Sequence, residues 1–222
     1  MRAILAATAA IVLTAPAALA QVEGVAFGGD SDFLALTNNG GLEQAVIESR
    51  IGGGSWELAA WRFGAVGTPL DQAERTIGAG GETADFTLMY TAATNTVSFM
   101  IDGVSVGTNQ VGGPFTDIFI RVRSTTDATS SVDDLFFNGV ALAGIDNVGT
   151  TGAVPAEYLR ITNGGANFGD FTLTGSQSLL FTGNRPTNSS LAAQFKFSNV
   201  IPAPGAATAF GLAGLAATRR RR

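Results

Sequence analysis

Between residues 85 and 107 the side chains alternate in character with a period of two. Phe86, Leu88 and Tyr90 alternate with Thr87, Met89 and Thr91; after a turn at residues 92–95, Val97, Phe99 and Ile101 alternate with Ser98, Met100 and Asp102. A period of two places one set of residues on each face of a strand, whereas a helix needs a period near 3.6. Asp102-Gly103 then precedes Val104-Ser105-Val106. A two-residue Asp-Gly link between alternating runs predicts a hairpin closed by a type I′ turn, because both central positions require positive φ and Gly adopts it without strain. Antiparallel sheet is therefore the first constraint on the fold.

The pattern recurs along the chain. In residues 117–123, Ile118, Ile120 and Val122 face one way and Phe119, Arg121 and Arg123 the other. Residues 132–137 read as a further strand, which Asn138-Gly139 turns toward Val140-Ala141-Leu142. Strands are also predicted at residues 56–63, 157–161, 171–174, 178–181 and 194–198. Residues 42–51 suit a strand or a short helix, and the reading favours a strand. Residues 143–155 are rich in Gly and Thr and read as a loop or a weak boundary. Many short strands separated by Gly and Asn turns predict an all-β fold, an antiparallel β-sandwich of the jelly-roll kind, formed as one domain by residues 21–199.

Composition narrows the chemistry. The chain of 222 residues contains no cysteine and no histidine. The core must therefore hold without disulfides, and the usual catalytic triads, the commonest general base and the commonest metal ligand are excluded. Arg2 and the four terminal arginines account for five of the 13 basic residues, while all 18 acidic residues lie in the body, so the body carries a charge near −10. No basic patch of the size that nucleic-acid binding requires can be assembled from it.

The two ends differ from the body. Met1-Arg2, an apolar run to about Ala15 and Ala18-Leu19-Ala20 follow the secretory order of charged start, apolar middle and small-residue cleavage site. Residues 1–20 are thus expected to be a signal peptide, and the protein to be exported. At the other end Pro202-Ala203-Pro204 leads into an uncharged, mostly apolar stretch and then Arg219, Arg220, Arg221 and Arg222. At about 1.5 Å per residue, residues 205–218 reach only roughly 20 Å as a helix. That is a short span for a hydrocarbon core about 30 Å thick. The arginines suit the cytoplasmic side of an inner membrane.

Residues 200–222 resemble the PEP-CTERM sorting signal of Gram-negative envelope proteins, with Ala203 where the Pro-Glu-Pro form has Glu. The resemblance implies recognition by an exosortase-type transpeptidase, cleavage near the proline motif, and a location at the cell surface or in the extracellular matrix. The strand series at residues 85–107, 117–123 and 130–139, together with residues 170–175, resembles the concanavalin-like jelly rolls of exported bacterial proteins, and more closely the group called choice-of-anchor W. That second resemblance implies a jelly-roll body carrying an alternative sorting tail and brings no catalytic residues with it.

Candidate sites in the body are few. Asp30 and Asp32 lie in the Gly-rich segment 28–32, read as a flexible loop; clustered carboxylates of this kind can hold Ca2+, and a solvated turn is the plainer reading. Trp56, Trp61 and Phe63, or Phe119 beside Arg121, could form an aromatic platform for an extracellular polysaccharide, against ordinary core packing. Asp133 and Asp134, adjacent on a strand, are expected on opposite faces, one of them pairing with Arg121 or Arg123. A glycoside hydrolase needs two carboxyls facing each other roughly 5–10 Å apart, and the Glu-x-Asp-x-x-Glu spacing of laminarinase-like jelly rolls does not occur. The expectation is a non-catalytic, surface-displayed structural module, with a lectin-like module as the alternative.

Overall fold

The computed structural model describes residues 21–38, 42–52, 55–62, 68–153, 156–187 and 190–199. In chain order the elements are β1 (Glu23–Phe27), α1 (Asp30–Asn38), β2 (Leu42–Gly52), β3 (Ser55–Arg62), β4 (Asp71–Arg75), β5 (Gly81–Thr91), β6 (Thr96–Ile101), β7 (Val104–Thr108), β8 (Asp117–Arg123) and β9 (Ala128–Phe137). They continue with β10 (Val140–Ala141), β11 (Ala143–Gly144), β12 (Val148–Thr151), β13 (Glu157–Thr162), β14 (Phe171–Phe181) and β15 (Ala192–Asn199). Among the described residues, these strands form two sheets. One runs β11-β1-β13-β8-β15-β2-β3-β4; the other runs β10-β9-β14-β5-β6-β7, with β12 also paired to β9. Neighbours pair antiparallel throughout, apart from the short parallel pair β1 and β11.

The alternation read in the sequence decides which faces meet. Ile118, Ile120 and Val122 of β8, and Phe195 and Phe197 of β15, belong to the same buried cluster as Phe86, Leu88 and Tyr90 of β5 and Phe99 of β6. The two sheets therefore pack face to face in an all-β sandwich. Phe195 lies with its ring 5.1 Å from Phe86 and 5.3 Å from Phe99, joining one sheet to the other. Each such fully buried side chain contributes about 1.5–3 kcal/mol of transfer free energy, which is how a chain without cysteine closes its core.

The turn chemistry holds. Asp102 and Gly103 have φ of 47° and 76°, and Asn138 and Gly139 have φ of 52° and 77°, as paired left-handed positions of the two hairpins require. Residues 42–52 are strand.

Four local expectations are corrected. Residues 30–38 form a helix where a flexible loop is expected. The Gly29 carbonyl accepts the Phe33 N–H at 3.2 Å to open α1, and Asp30 and Asp32 sit in its first turn, where the helix dipole favours carboxylates. Residues 171–181 form one strand rather than two, because Gly175 is the site of a bulge and not of a turn. Two β9 residues, Asp134 and Leu135, stand opposite Gly175 alone, and Asp134 takes φ of 54°. The same bulge overturns the expected splay of Asp133 and Asp134, which occupy the interval between inward-facing Val132 and Leu135. Neither can pair with Arg121 or Arg123 along a shared sheet, since β8 and β9 belong to different sheets; Asp133 accepts instead from the Ser131 hydroxyl at 2.6 Å. Residues 143–144 and 148–151, in the segment read as loop, are drawn into the sandwich as β11 and β12.

Candidate functional site

The outward face of the β8-containing sheet carries the residues of interest. Register places Gln72 (β4), Ala59 (β3), Glu48 (β2), Gln194 (β15), Arg121 (β8) and Tyr158 (β13) in one row across it. Toward the β13 end this row lies against α1. Phe33 of the helix is buried in a small second cluster with Phe119, Ala156 and Tyr158. Its ring is 5.2 Å from Phe119 edge-on and 5.5 Å from Tyr158 stacked, and the Lys196 ammonium lies 4.8 Å over its centre.

Asp30 clamps the helix there. Its carboxylate accepts Arg121 Nε at 2.7 Å and Nη2 at 2.9 Å, and the Tyr158 hydroxyl at 2.7 Å. The Arg121 bond, helped by Tyr158 and only partly opposed by burial, holds the carboxyl down at about 2. Burial and the bond to Asp30 push the Tyr158 phenol well above its usual value. Asp32 folds back against Gly28, where an added Cβ would meet its carboxylate oxygen. Asp30 thus already accepts from Arg121 and Tyr158, while Asp32 lies against Gly28. Among the described residues no group of three or more acidic side chains is arranged to hold a metal ion.

The aromatic candidates separate. Trp56 and Trp61 are an odd number of residues apart on β3, so they face opposite ways. Trp56 is fully enclosed between the sheets, with its Nε1 donating to Ser49 Oγ at 2.7 Å. Phe119 is likewise fully buried, covered by Phe27 and Phe33. Neither offers a surface, because each ring is already packed on the faces a ligand would use. Trp61 is the one described aromatic candidate that is partly exposed on the outward face. Phe63 and the tail residues Pro202, Ala203, Pro204, Arg219, Arg220, Arg221 and Arg222 lie outside the described residues.

Trp61 lines an open trough of about 500 Å3 over β2, β3 and β4, together with Arg50, Glu57, Ala59, Gln72 and Glu74. Glu57, Ala59 and Trp61 share the outward face of β3 by their spacing of two. Glu57 pairs directly with Glu74 on β4 and with Arg50 on β2, and Ala59 pairs with Gln72. Arg50 donates from Nε to Glu57 at 2.7 Å and meets Glu48 at 3.3 Å; the Ser55 hydroxyl donates to Glu74 at 3.1 Å. Burial works against the Arg50 charge, but the carboxylates of Glu57 and Glu48 outweigh it and raise the guanidinium above its usual value. Sequence reading missed Glu57 and Glu74 as a pair. The alternation Glu57-x-Ala59-x-Trp61 shows one wall of the trough, but nothing in the sequence says that the strand at 71–75 lies beside it.

Chemically, the trough offers an aromatic wall, a small flat floor at Ala59, an amide at Gln72 and the carboxylates of Glu57 and Glu74, which come from directly paired strand positions. Such an arrangement can hold a hydroxylated or cationic small group by stacking and hydrogen bonding. The fold and this site define an all-β sandwich protein with one partly exposed tryptophan beside a carboxylate pair. No family model matches the chain, and no curated protein matches it.

Proposed function

We propose that this chain is an exported, non-catalytic β-sandwich of the concanavalin-like jelly-roll type, displayed at the cell surface or in the extracellular matrix. Residues 1–20 direct export, and residues 200–222 act as a PEP-CTERM-like sorting signal that an exosortase-type transpeptidase recognises at the inner membrane. The observation that carries this reading is where the tail leaves the body. β15 ends at Asn199, just before Pro202, and it is a central strand, paired on both sides along nearly its whole length with β8 and β2. A pull on the tail loads two ladders at once instead of peeling an edge, which suits a domain held by its C-terminus. Intact mass of the protein recovered from cells tests it. The expected species begins at Gln21 and either ends near Pro202 or retains the tail in the membrane fraction. Recovery of residues 1–222 dissolved in the cytosol would overturn it.

A second reading, a lectin-like contact with extracellular polysaccharide, is favoured by the Trp61 trough. Retention of the protein on a polysaccharide column, lost in Trp61→Ala, is the expected result.

A further inference from the structure

We infer that the trough over β2, β3 and β4 selects a cationic sugar, an amino sugar with a free amine, in preference to neutral or acidic saccharides. The inference rests on the polysaccharide reading and specifies its ligand. Its starting point is the β3–β4 register, which sets Glu57 and Glu74 directly opposite each other on one face. Like charges in that position repel, at a cost of a few tenths to about 1 kcal/mol in a sheet. Of the described trough residues, Glu57 and Glu74 are acidic and Arg50 is basic; Arg50 pairs with Glu57 and with Glu48, while Glu74 accepts from the Ser55 hydroxyl. An ammonium bound beside Glu57 and Glu74 would relieve the repulsion and gain a charge-assisted hydrogen bond with each carboxylate it reaches. An acidic sugar would add to the repulsion.

The remaining lining selects what carries the amine. Trp61 lies four residues from Glu57 on the same strand face, about 13 Å along an extended strand. That distance spans roughly two sugar rings. Between the ends lies Ala59, which is nearly level with the backbone, and Gln72 stands beside it with both a donor and an acceptor. A lysine side chain has no groups along its stem for Gln72 to bond. A pyranose presents hydroxyls there, and its apolar face suits the indole.

The test uses the full-length protein and follows Trp61 fluorescence and titration heat. A free-amine glucosamine tetramer, its N-acetylated counterpart, a glucose tetramer, tetralysine and CaCl2 are added in turn. The glucosamine tetramer should bind at least ten-fold more tightly than the other ligands, and its binding should weaken as rising pH deprotonates the amine. Glu74→Gln should weaken binding about ten-fold and Trp61→Ala by a similar factor. Asp85→Asn, which alters a carboxylate lining a groove on the other sheet, should leave it unchanged. Equal binding of the acetylated or glucose tetramer would overturn the amine preference while leaving the polysaccharide reading standing. Binding of no saccharide would remove both. Equal binding of tetralysine, a response to CaCl2 alone, or an unaffected Glu74→Gln protein whose unfolding transition matches the wild type would each overturn the assignment.

Discussion

Asp30 grips Arg121 through both carboxylate oxygens, at 2.7 and 2.9 Å, and so ties the start of α1 to the middle of a sheet 91 residues further along the chain. The pair is asymmetric in exposure: the Arg121 side chain is 14% exposed and that of Asp30 51%. Removing the carboxylate therefore leaves a largely buried guanidinium without its main partner. With the discount that an exposed acid requires, Asp30→Asn should cost about 1–2 kcal/mol. Urea unfolding measures it, and faster proteolysis between residues 28 and 38 should accompany it.

The same pair sets a pH dependence. Asp30 is held at about 2, below its ordinary value of 3.8. A depressed acid contributes stability that is fully present above the unfolded value and is lost as pH falls through the folded one. The stability difference between wild type and Asp30→Asn should thus be constant above about pH 5 and shrink between pH 4 and 2. A difference that grows on acidification would contradict the assignment.

Ser49 is a polar joint inside the core. Its hydroxyl oxygen accepts Trp56 Nε1 at 2.7 Å and, from the other sheet, Gln177 Nε2 at 2.9 Å. All three side chains are fully buried. Ser49→Ala leaves two donors without an acceptor, each costing roughly 1–3 kcal/mol. A loss of about 2–4 kcal/mol is expected in urea unfolding. Joint replacement of Ser49 by Ala and Gln177 by Leu should recover part of it, as a double-mutant cycle would show.

Arg75 closes one end of the sandwich. Its guanidinium lies 4.7 Å over the Trp56 ring and forms ion pairs with Glu82 of β5 and with Asp102 in the β6–β7 turn. Arg75→Ala removes a lid as well as a charge, so Trp56 emission should shift to the red and stability should fall by about 1–3 kcal/mol. Arg75→Lys should restore only part of this, because a lysine cannot stack and reach both acids together.

Gly175 is fixed by close approach. A Cβ there would lie 2.7 Å from the Asp133 carbonyl oxygen and 3.1 Å from the Phe86 ring. Gly175→Ala should therefore destabilise by more than the few tenths expected of an exposed strand position, read as a lowered Tm.

Much of this was legible before the fold was known, and the reason is periodicity. The faces of β5, β6 and β8 follow from alternation, and the two I′ hairpins follow from Asp102-Gly103 and Asn138-Gly139, because these are local properties of a few consecutive residues. The helix was partly legible too: Asp30-Ser31-Asp32 before Phe33-Leu34-Ala35-Leu36 is an acidic first turn followed by helix-forming residues, masked by the glycines that precede it. The continuity of β14 was less legible, since Gly175 in mid-strand suits a turn as well as a bulge until the β9 register is seen beside it.

Sequence alone determined that this chain makes sheets, which side of β5, β6 and β8 turns inward, and that its chemistry must do without histidine and cysteine. Tertiary structure decided which strands lie side by side, and with that the site. Glu57 stands opposite Glu74, Arg121 meets Asp30, and Trp56 is sealed while Trp61 is partly exposed. The pleat has a period of two along one strand and says nothing about the neighbour. Strand order and register are settled only when the two inner faces pack together, and a shift of one residue would turn every one of these side chains to the opposite face.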